Sequence, residues 1–134
     1  MTMAANEALV VRLVETWNGH DLAAMADFVT DDYIHHTSQG TDITFAGFRQ
    51  GFAWLSAAFP DLRHTIRHFI GEGDTIAIYC HATGTHQGTF FDLATTGRRV
   101  SFLWMYHCRI LNGRISEDWD VMNFQAMLTA LRAP

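Results

Sequence analysis

RVSFLWMYHCRI, residues 99 to 110, is followed after Leu111, Asn112 and Gly113 by RISEDWDV, residues 114 to 121, and this stretch decides the fold. Both runs are rich in β-branched and aromatic residues, and Asn-Gly between two such runs is a strong hairpin signal. Two earlier runs, LRHTIRHFI (62–70) and TIAIYCHATGTH (75–86), have the same character and are bounded by Gly-containing turns. Four sheet-forming segments therefore fill the second half of the chain.

Upstream the period changes. Val10, Leu13, Val14 and Trp17 recur at helical spacing and Asn18-Gly19 supplies a stop, which predicts a helix over 4–18. Asp21 is placed to cap a second short helix carrying Leu22, Met25, Ala26 and Val29, broken by Thr30-Asp31-Asp32. A short strand from Tyr33 to Thr37 follows. Phe45, Phe48, Phe52, Leu55 and Phe59 then repeat at helical spacing until Pro60. The apolar run Phe124–Leu131 is long enough for a terminal helix. Helices first and an antiparallel sheet afterwards indicate one α+β domain over 1–134, its helices packed on one face of the sheet.

With 134 residues the chain can bury roughly two-thirds of its unfolded surface around one core. The formal charge is −5 and no segment gathers Lys or Arg, which excludes nucleic acid and anionic lipid as main partners. No stretch reaches the roughly 18 apolar residues of a membrane span, and MTMAANEALVV lacks the pattern of a signal peptide. The expectation is a soluble, cytoplasmic protein. Cys80 and Cys108 sit in strand-like runs, which fits buried reduced thiols.

Eight histidines raise the question of a metal. His64 and His68 would share a helix face, but their run reads as strand, where four residues span roughly 13 Å, too far for one ion with bonds near 2 Å. His35 and His36 point to opposite faces for the same reason. The expectation is no metal, with His64 and His68 solvated.

The acids of EDWD are the unusual feature of the last strand. Alternation sends Asp118 and Asp120 to one face, Glu117 and Trp119 to the other. The partners from the preceding strand depend on the turn. A two-residue loop on Asn112-Gly113 sets Met105 and His107 opposite Asp120 and Asp118, whereas a three-residue loop with Gly113 as a bulge sets Trp104 and Tyr106 there.

GTHQGTFFDLATTGRRVSF (84–102), RILNGRI (109–115) and FQAML (124–128), with Trp17-Asn18, Tyr33-Ile34-His35 and AAFPDLR (57–63), resemble the SnoaL-like polyketide cyclases of the nuclear-transport-factor-2-like superfamily. The resemblance implies a cone: a strongly bent antiparallel sheet around N-terminal helices, with an apolar pocket at one end. It implies cofactor-free, metal-free intramolecular aldol closure of a polyketide ring. The family's acid/base aspartate falls on Asp120, its pocket histidine position is held by Tyr106, and Asp118 stands two residues before the base. Because that position and the aspartate share the pocket, the resemblance selects the bulged three-residue turn.

On this reading Asp120 lies deep in an aromatic pocket beside Trp104, where desolvation makes its carboxylate a stronger base. Asp118, nearer the turn, hydrogen-bonds Tyr106 or a substrate hydroxyl. Tyr106 and His35 are candidate donors to an enolate or alkoxide oxygen. Trp17, Phe52 and Trp104 would stack on a flat, hydrophobic substrate, and His86 is a further substrate-binding candidate. Glu117 and Trp119 face outwards, and the apolar patch that Trp119 forms there with Leu103 and Met105 predicts a homodimer or higher homo-oligomer. The alternatives are an isomerase or hydrolase of a smaller lipophilic ligand, and a non-enzymatic small-molecule binding protein.

Overall fold

The structure, a computed structural model, describes residues 2–134; Met1 lies outside the described residues. Helix α1 (Met3–Asn18) starts at Thr2, whose hydroxyl accepts from the Ala5 N–H, and buries Leu9, Val10, Leu13, Val14 and Trp17. The second helix is reduced to a 3₁₀ turn, Ala24–Phe28. Its entry is held by the Asp21 carbonyl rather than by the expected side-chain cap.

Strand β1 (Val29–His36) begins earlier than the sequence suggests, with Thr30, Asp31 and Asp32 as its outlying part rather than as a break. A two-residue strand β2 (Asp42–Ile43) folds back on it. Helix α2 (Phe45–Ala58) is capped by Thr44 and buries Phe48, Phe52, Leu55 and Ala58. Strands β3 (Arg63–Glu72), β4 (Thr75–Thr85), β5 (Arg99–Leu111) and β6 (Arg114–Met122) follow, then helix α3 (Phe124–Arg132).

The six strands form one sheet in the order β2-β1-β6-β5-β4-β3. It is mixed rather than antiparallel, because β1 pairs with β6 in parallel. The long strands β4 and β5 alternate buried and partly buried or exposed residues along almost their whole length. Their inner face, including Ile76, Ile78, Cys80, Phe102, Trp104, Tyr106 and Cys108, joins the helices in the core.

The β5–β6 turn corrects both the predicted loop and the predicted register: Tyr106 pairs with Asp120 and Cys108 with Asp118, where the three-residue loop puts Trp104 and Tyr106, so only the predicted face is kept. Leu111 pairs with Arg114, so the loop is the two-residue Asn112-Gly113, with φ of +51° and +77° as a type I′ turn requires. The register then shifts between Arg109 and Ile110: Ile110 pairs with Ile115 but Arg109 with Glu117, leaving Ser116 as a bulge. That extra residue sets Tyr106, not Met105, opposite Asp120. It also allows Ile115 and Asp118, three residues apart, both to be buried.

A second bulge, between Ile66 and His68, separates two histidines that a regular strand would put on one face. His68 is exposed as expected, but His64 is buried against Trp17, Trp104 and Phe52, and neither ring nitrogen has a protein partner. Burial, and secondarily the charge of His20, lowers its pKa from 6.5 to about 3. The folded chain thus keeps His64 neutral where the unfolded chain protonates it, and stability is lost as pH falls from about 6.5 towards 3. His64→Leu should therefore raise the melting temperature relative to the wild type by a margin that grows between pH 7 and pH 4; thermal melts across that range test it, and a constant margin would refute the assignment.

Candidate active site

Asp118 is 0% exposed and stands on β6 between β1 and β5. A buried carboxylate without partners costs several kcal/mol, and this one is well supplied. The Tyr33 hydroxyl lies 2.9 and 2.8 Å from its two oxygens, the Tyr106 hydroxyl donates to Oδ2 at 2.7 Å, and Nδ1 of His35 sits 2.6 Å from Oδ1. Burial, reinforced by the charge of Asp118, pushes both phenols well above their ordinary range, so they remain donors.

His35 links this buried acid to a second one. Its other nitrogen, Nε2, is 3.1 Å from Oδ1 of Asp120, whose Oδ2 accepts from the Trp104 indole N–H at 3.0 Å. Burial alone would lower the pKa of His35. Its hydrogen bonds to Asp118 and Asp120, with their charges, outweigh that and raise it from 6.5 to about 9. With an acceptor on each ring nitrogen, His35 is an imidazolium donating both ways.

Only Asp120 of the two acids has access to solvent, its side chain being 14% exposed. It opens on a cavity of about 310 Å³ whose lining includes His35, Phe48, Phe52, Leu55, Trp104 and Met122. The wall contains no Lys or Arg, and its polar part beyond His35 and Asp120 is Thr37, Ser38 and Gln39 from the β1–β2 loop. Apolar walls with a few converging polar groups are what a small-molecule site requires.

The candidates named from sequence divide by depth. His35, Phe52, Trp104 and Asp120 line the cavity. The expected order of the acids is reversed: Asp118, not Asp120, is the desolvated one, because the Ser116 bulge and the parallel neighbour β1 bury it. Tyr106 is also behind the wall, its hydroxyl engaged by Asp118 rather than presented to a ligand.

Two candidates lie elsewhere. Trp17 is fully buried, stacked on Trp104 at 5.4 Å with planes 6° apart, and supports the wall without lining it. His86 is buried in the β4–β5 connection, where its Nδ1 meets Thr96, and it too is absent from the cavity wall. Tyr33 was not among the candidates. The signals for it are its place in the Tyr33-Ile34-His35 stretch of the resemblance and its two-residue spacing from His35, which puts both on one face of β1.

The outer face of β6 carries a separate cluster. Trp119 is stacked between His36 (4.7 Å) and His107 (4.3 Å), and Glu117 pairs with His36 and Arg109. Among the described residues no group of three or more His, Cys, Asp or Glu could hold a metal ion, and no helix is long and apolar enough to cross a membrane. Cys80 and Cys108 are free and buried.

A family model described as SnoaL-like polyketide cyclase matches residues 7–131. The chain is 27% identical over 117 residues to the aklanonic acid methyl ester cyclase DauD of Streptomyces sp. (strain C5), covering 83% of this chain and 73% of that protein. It is 26% identical over 123 residues to the aklanonic acid methyl ester cyclase DnrD of Streptomyces peucetius, covering 87% and 85%. Among solved structures, AclR of Streptomyces galilaeus, a candidate hydroxylase, superposes with a TM-score of 0.90 at 31% identity over 97% of this chain and 82% of its own. IdmH of Streptomyces antibioticus, a candidate polyketide cyclase, superposes at 0.87 with 26% identity over 96% and 99%.

His35 makes the site visible to titration. Its pKa is raised on folding, so its stabilisation is complete below about 6.5 and is lost as pH rises through about 9. Between pH 6.5 and 8.5 the wild type should lose stability steadily, and His35→Gln should flatten that slope. His36, whose pKa is also raised by its hydrogen bonds to Glu117 and Asp42, adds to the wild-type slope, so the difference between variant and wild type is what reports His35; the thiols of Cys80 and Cys108, pushed by burial to about 11 and about 12, add their loss only near and above their ordinary value of 9. Urea titrations at half-unit pH intervals give the slope directly; an unchanged slope in the variant would refute the Asp118–His35–Asp120 assignment.

Proposed function

Because this chain belongs to the SnoaL-like polyketide cyclase family, and because one carboxylate, held by two donors, opens on its apolar cavity, we propose that it closes a ring of a polyketide-type substrate by cofactor-free intramolecular aldol condensation with Asp120 as the acid/base. The observation that carries this reading is the setting of Asp120: oriented by His35 and Trp104, yet open to the cavity. The two Streptomyces relatives that are aklanonic acid methyl ester cyclases support the substrate class. The same reading takes the sheet as the strongly curved cone of the superfamily.

The steps balance within one substrate and one carboxylate. Asp120 takes a proton from a carbon α to a carbonyl, and the C–H electron pair becomes an enolate. The enolate carbon attacks a second carbonyl carbon of the same molecule, whose π pair moves to oxygen. The protonated Asp120 returns its proton to that alkoxide, and the free carboxylate is restored. Delocalisation in the polyketide carries most of the carbanion charge, so the protein supplies position, exclusion of water and a cationic donor. His35 is that donor: its Nε2–H points at Asp120 in the resting site and turns to the substrate oxygen at the cavity wall once Asp120 has taken the proton and lost its charge. Asp118, Tyr33 and Tyr106 act through His35 as positioning residues.

Asp120→Asn preserves volume and deletes the base, so turnover should fall by roughly 10²-fold or more while circular dichroism stays that of the wild type. The variant must be assayed with a competent polyketide; product mass sorts hydrolysis and hydroxylation from ring closure, and carbon connectivity by NMR sorts ring closure, with its new carbon–carbon bond, from isomerisation. Aldol closure is isomeric, hydrolysis adds water, and hydroxylation, the activity suggested for AclR, adds one oxygen. Wild-type turnover by the variant would refute Asp120 as the base, and saturable binding without turnover by the wild type would move the small-molecule binding reading ahead.

The outer sheet face is part of the same proposal. Leu103, Met105 and Val121 are exposed there beside Trp119, a patch suited to a second copy of the chain. Light scattering should give a dimer at micromolar concentration, and Met105→Glu should shift it towards monomer; a wild-type monomer throughout that range would end the dimer proposal.

A further inference from the structure

The mouth of the cavity is built differently from its interior. The exposed members of its lining include two large aromatics, Trp54 on α2, 41% exposed, and Phe91 in the β4–β5 connection, 51% exposed. Their ring centroids are 5.0 Å apart with planes at 76°, and Phe124 lies 5.8 Å from Phe91 and 6.4 Å from Trp54. Exposed side chains of this size cost hydrophobic free energy, and here they are gathered at one opening instead of scattered.

The backbone beneath Phe91 is held as if to keep the ring there. Phe90 and Leu93 exchange hydrogen bonds of 3.0 Å, so Phe91 and Asp92 are the corners of a tight turn. Phe91 has φ +52°, at a corner of the kind glycine usually occupies and a bulky residue rarely does. Phe90, fully buried, anchors the turn against Phe59 at 5.1 Å and Trp54 at 5.3 Å. Gln87 and Gly88 both donate to the Ala58 carbonyl at the end of α2, and Arg132 of α3 pairs with Asp92 at 3.0 Å. The turn is thus fastened at its base and at its corner, and strain of this sort persists where the surroundings impose it.

We propose that Trp54 and Phe91, packed edge to face on each other, form an aromatic ledge at the cavity mouth against which the outer rings of a flat, neutral, polycyclic ligand lie while its reacting end reaches Asp120. This rests on the proposed function for the identity of the reacting end, but the binding does not depend on turnover. The cavity holds two carboxylates' worth of negative charge near its inner wall against one imidazolium, and no Lys or Arg in its lining, so a ligand with a free anionic group is disfavoured. Thr37, Ser38 and Gln39 offer neutral hydrogen bonding to ring hydroxyls and carbonyls. The ledge selects ligands by planarity, since an aromatic surface rewards a fused ring system laid along it and not a flexible chain.

Quinizarin, a neutral planar dihydroxyanthraquinone, serves as the probe, with its own absorbance and fluorescence followed as the intact protein is added at pH 7. The wild type should bind saturably. Phe91→Ala and Trp54→Ala should each raise Kd roughly tenfold, and Phe91→Trp should restore it to within about threefold; the two Phe91 variants should melt like the wild type because that ring is half exposed, whereas Trp54→Ala, which also removes packing on Phe90, should melt lower and is compared at a temperature where circular dichroism shows it folded. Leu111→Ala, which removes an exposed apolar side chain outside the cavity lining, should leave Kd unchanged. Kd values within about twofold of wild type for both alanine variants, or no saturable binding by the wild type, would overturn the ledge. Binding is read without catalysis, so a failure of the ledge and a failure of the aldol mechanism are separate results.

Discussion

A carboxylate with no access to water sits between two tyrosines and a histidine, and the site depends on how it is satisfied. Asp118 receives four hydrogen-bonding contacts from three side chains on two neighbouring strands. Unpaired, it would be a large penalty; paired, it ties β1 to β6 and β6 to β5 at one level of the sheet. It also fixes the ring of His35, and through it the carboxylate that faces the cavity. The acid that does no chemistry in the proposed reaction is the one that determines where the other can act.

A single extra residue makes that arrangement possible. Ser116 bulges out of β6, and beyond it the strand is rephased, so that Asp118 and Asp120 both turn towards the inner side while Glu117 and Trp119 turn outwards. Without the bulge the two-residue turn would oppose Met105 and His107 to the acids, exchanging aromatic walls for the residues of the outer face. The outer face has its own order, with Trp119 between two imidazoles and Glu117 between His36 and Arg109. One strand therefore separates two chemistries by alternation alone.

Aromatic packing links the core to the wall. Trp17 stacks on Trp104, Trp104 donates to Asp120, and His64 and Phe52 pack around the same indole. Each such aromatic pair adds about 0.5–1.5 kcal/mol beyond its buried area, so the donor that orients Asp120 is held by the core itself. The burial of a neutral His64 in this cluster costs stability in acid, in the same region of the molecule where His35 adds stability by being charged.

Much of this was decided by local pattern. Apolar spacing in 10–17 and 45–59 and alternation in 75–86 and 99–110 specify helices and strands because both periods are properties of a single segment. Asp120, His35, Phe52 and Trp104 were identifiable as cavity residues on the same basis, together with the family resemblance. What only the tertiary structure decided is whatever depends on a neighbour that is distant in sequence. The parallel pairing of β1 with β6 brings Tyr33 and His35 to Asp118 across more than eighty residues, and no property of either segment announces it. The bulges at Ser116 and near Arg67 reverse facing over several residues, burying Asp118 and His64, though neither is marked by a Gly or Pro. Trp17 and His86 read as ligand-facing and are not, because a large aromatic or imidazole is equally suited to a core, and depth is set by the elements packed over it.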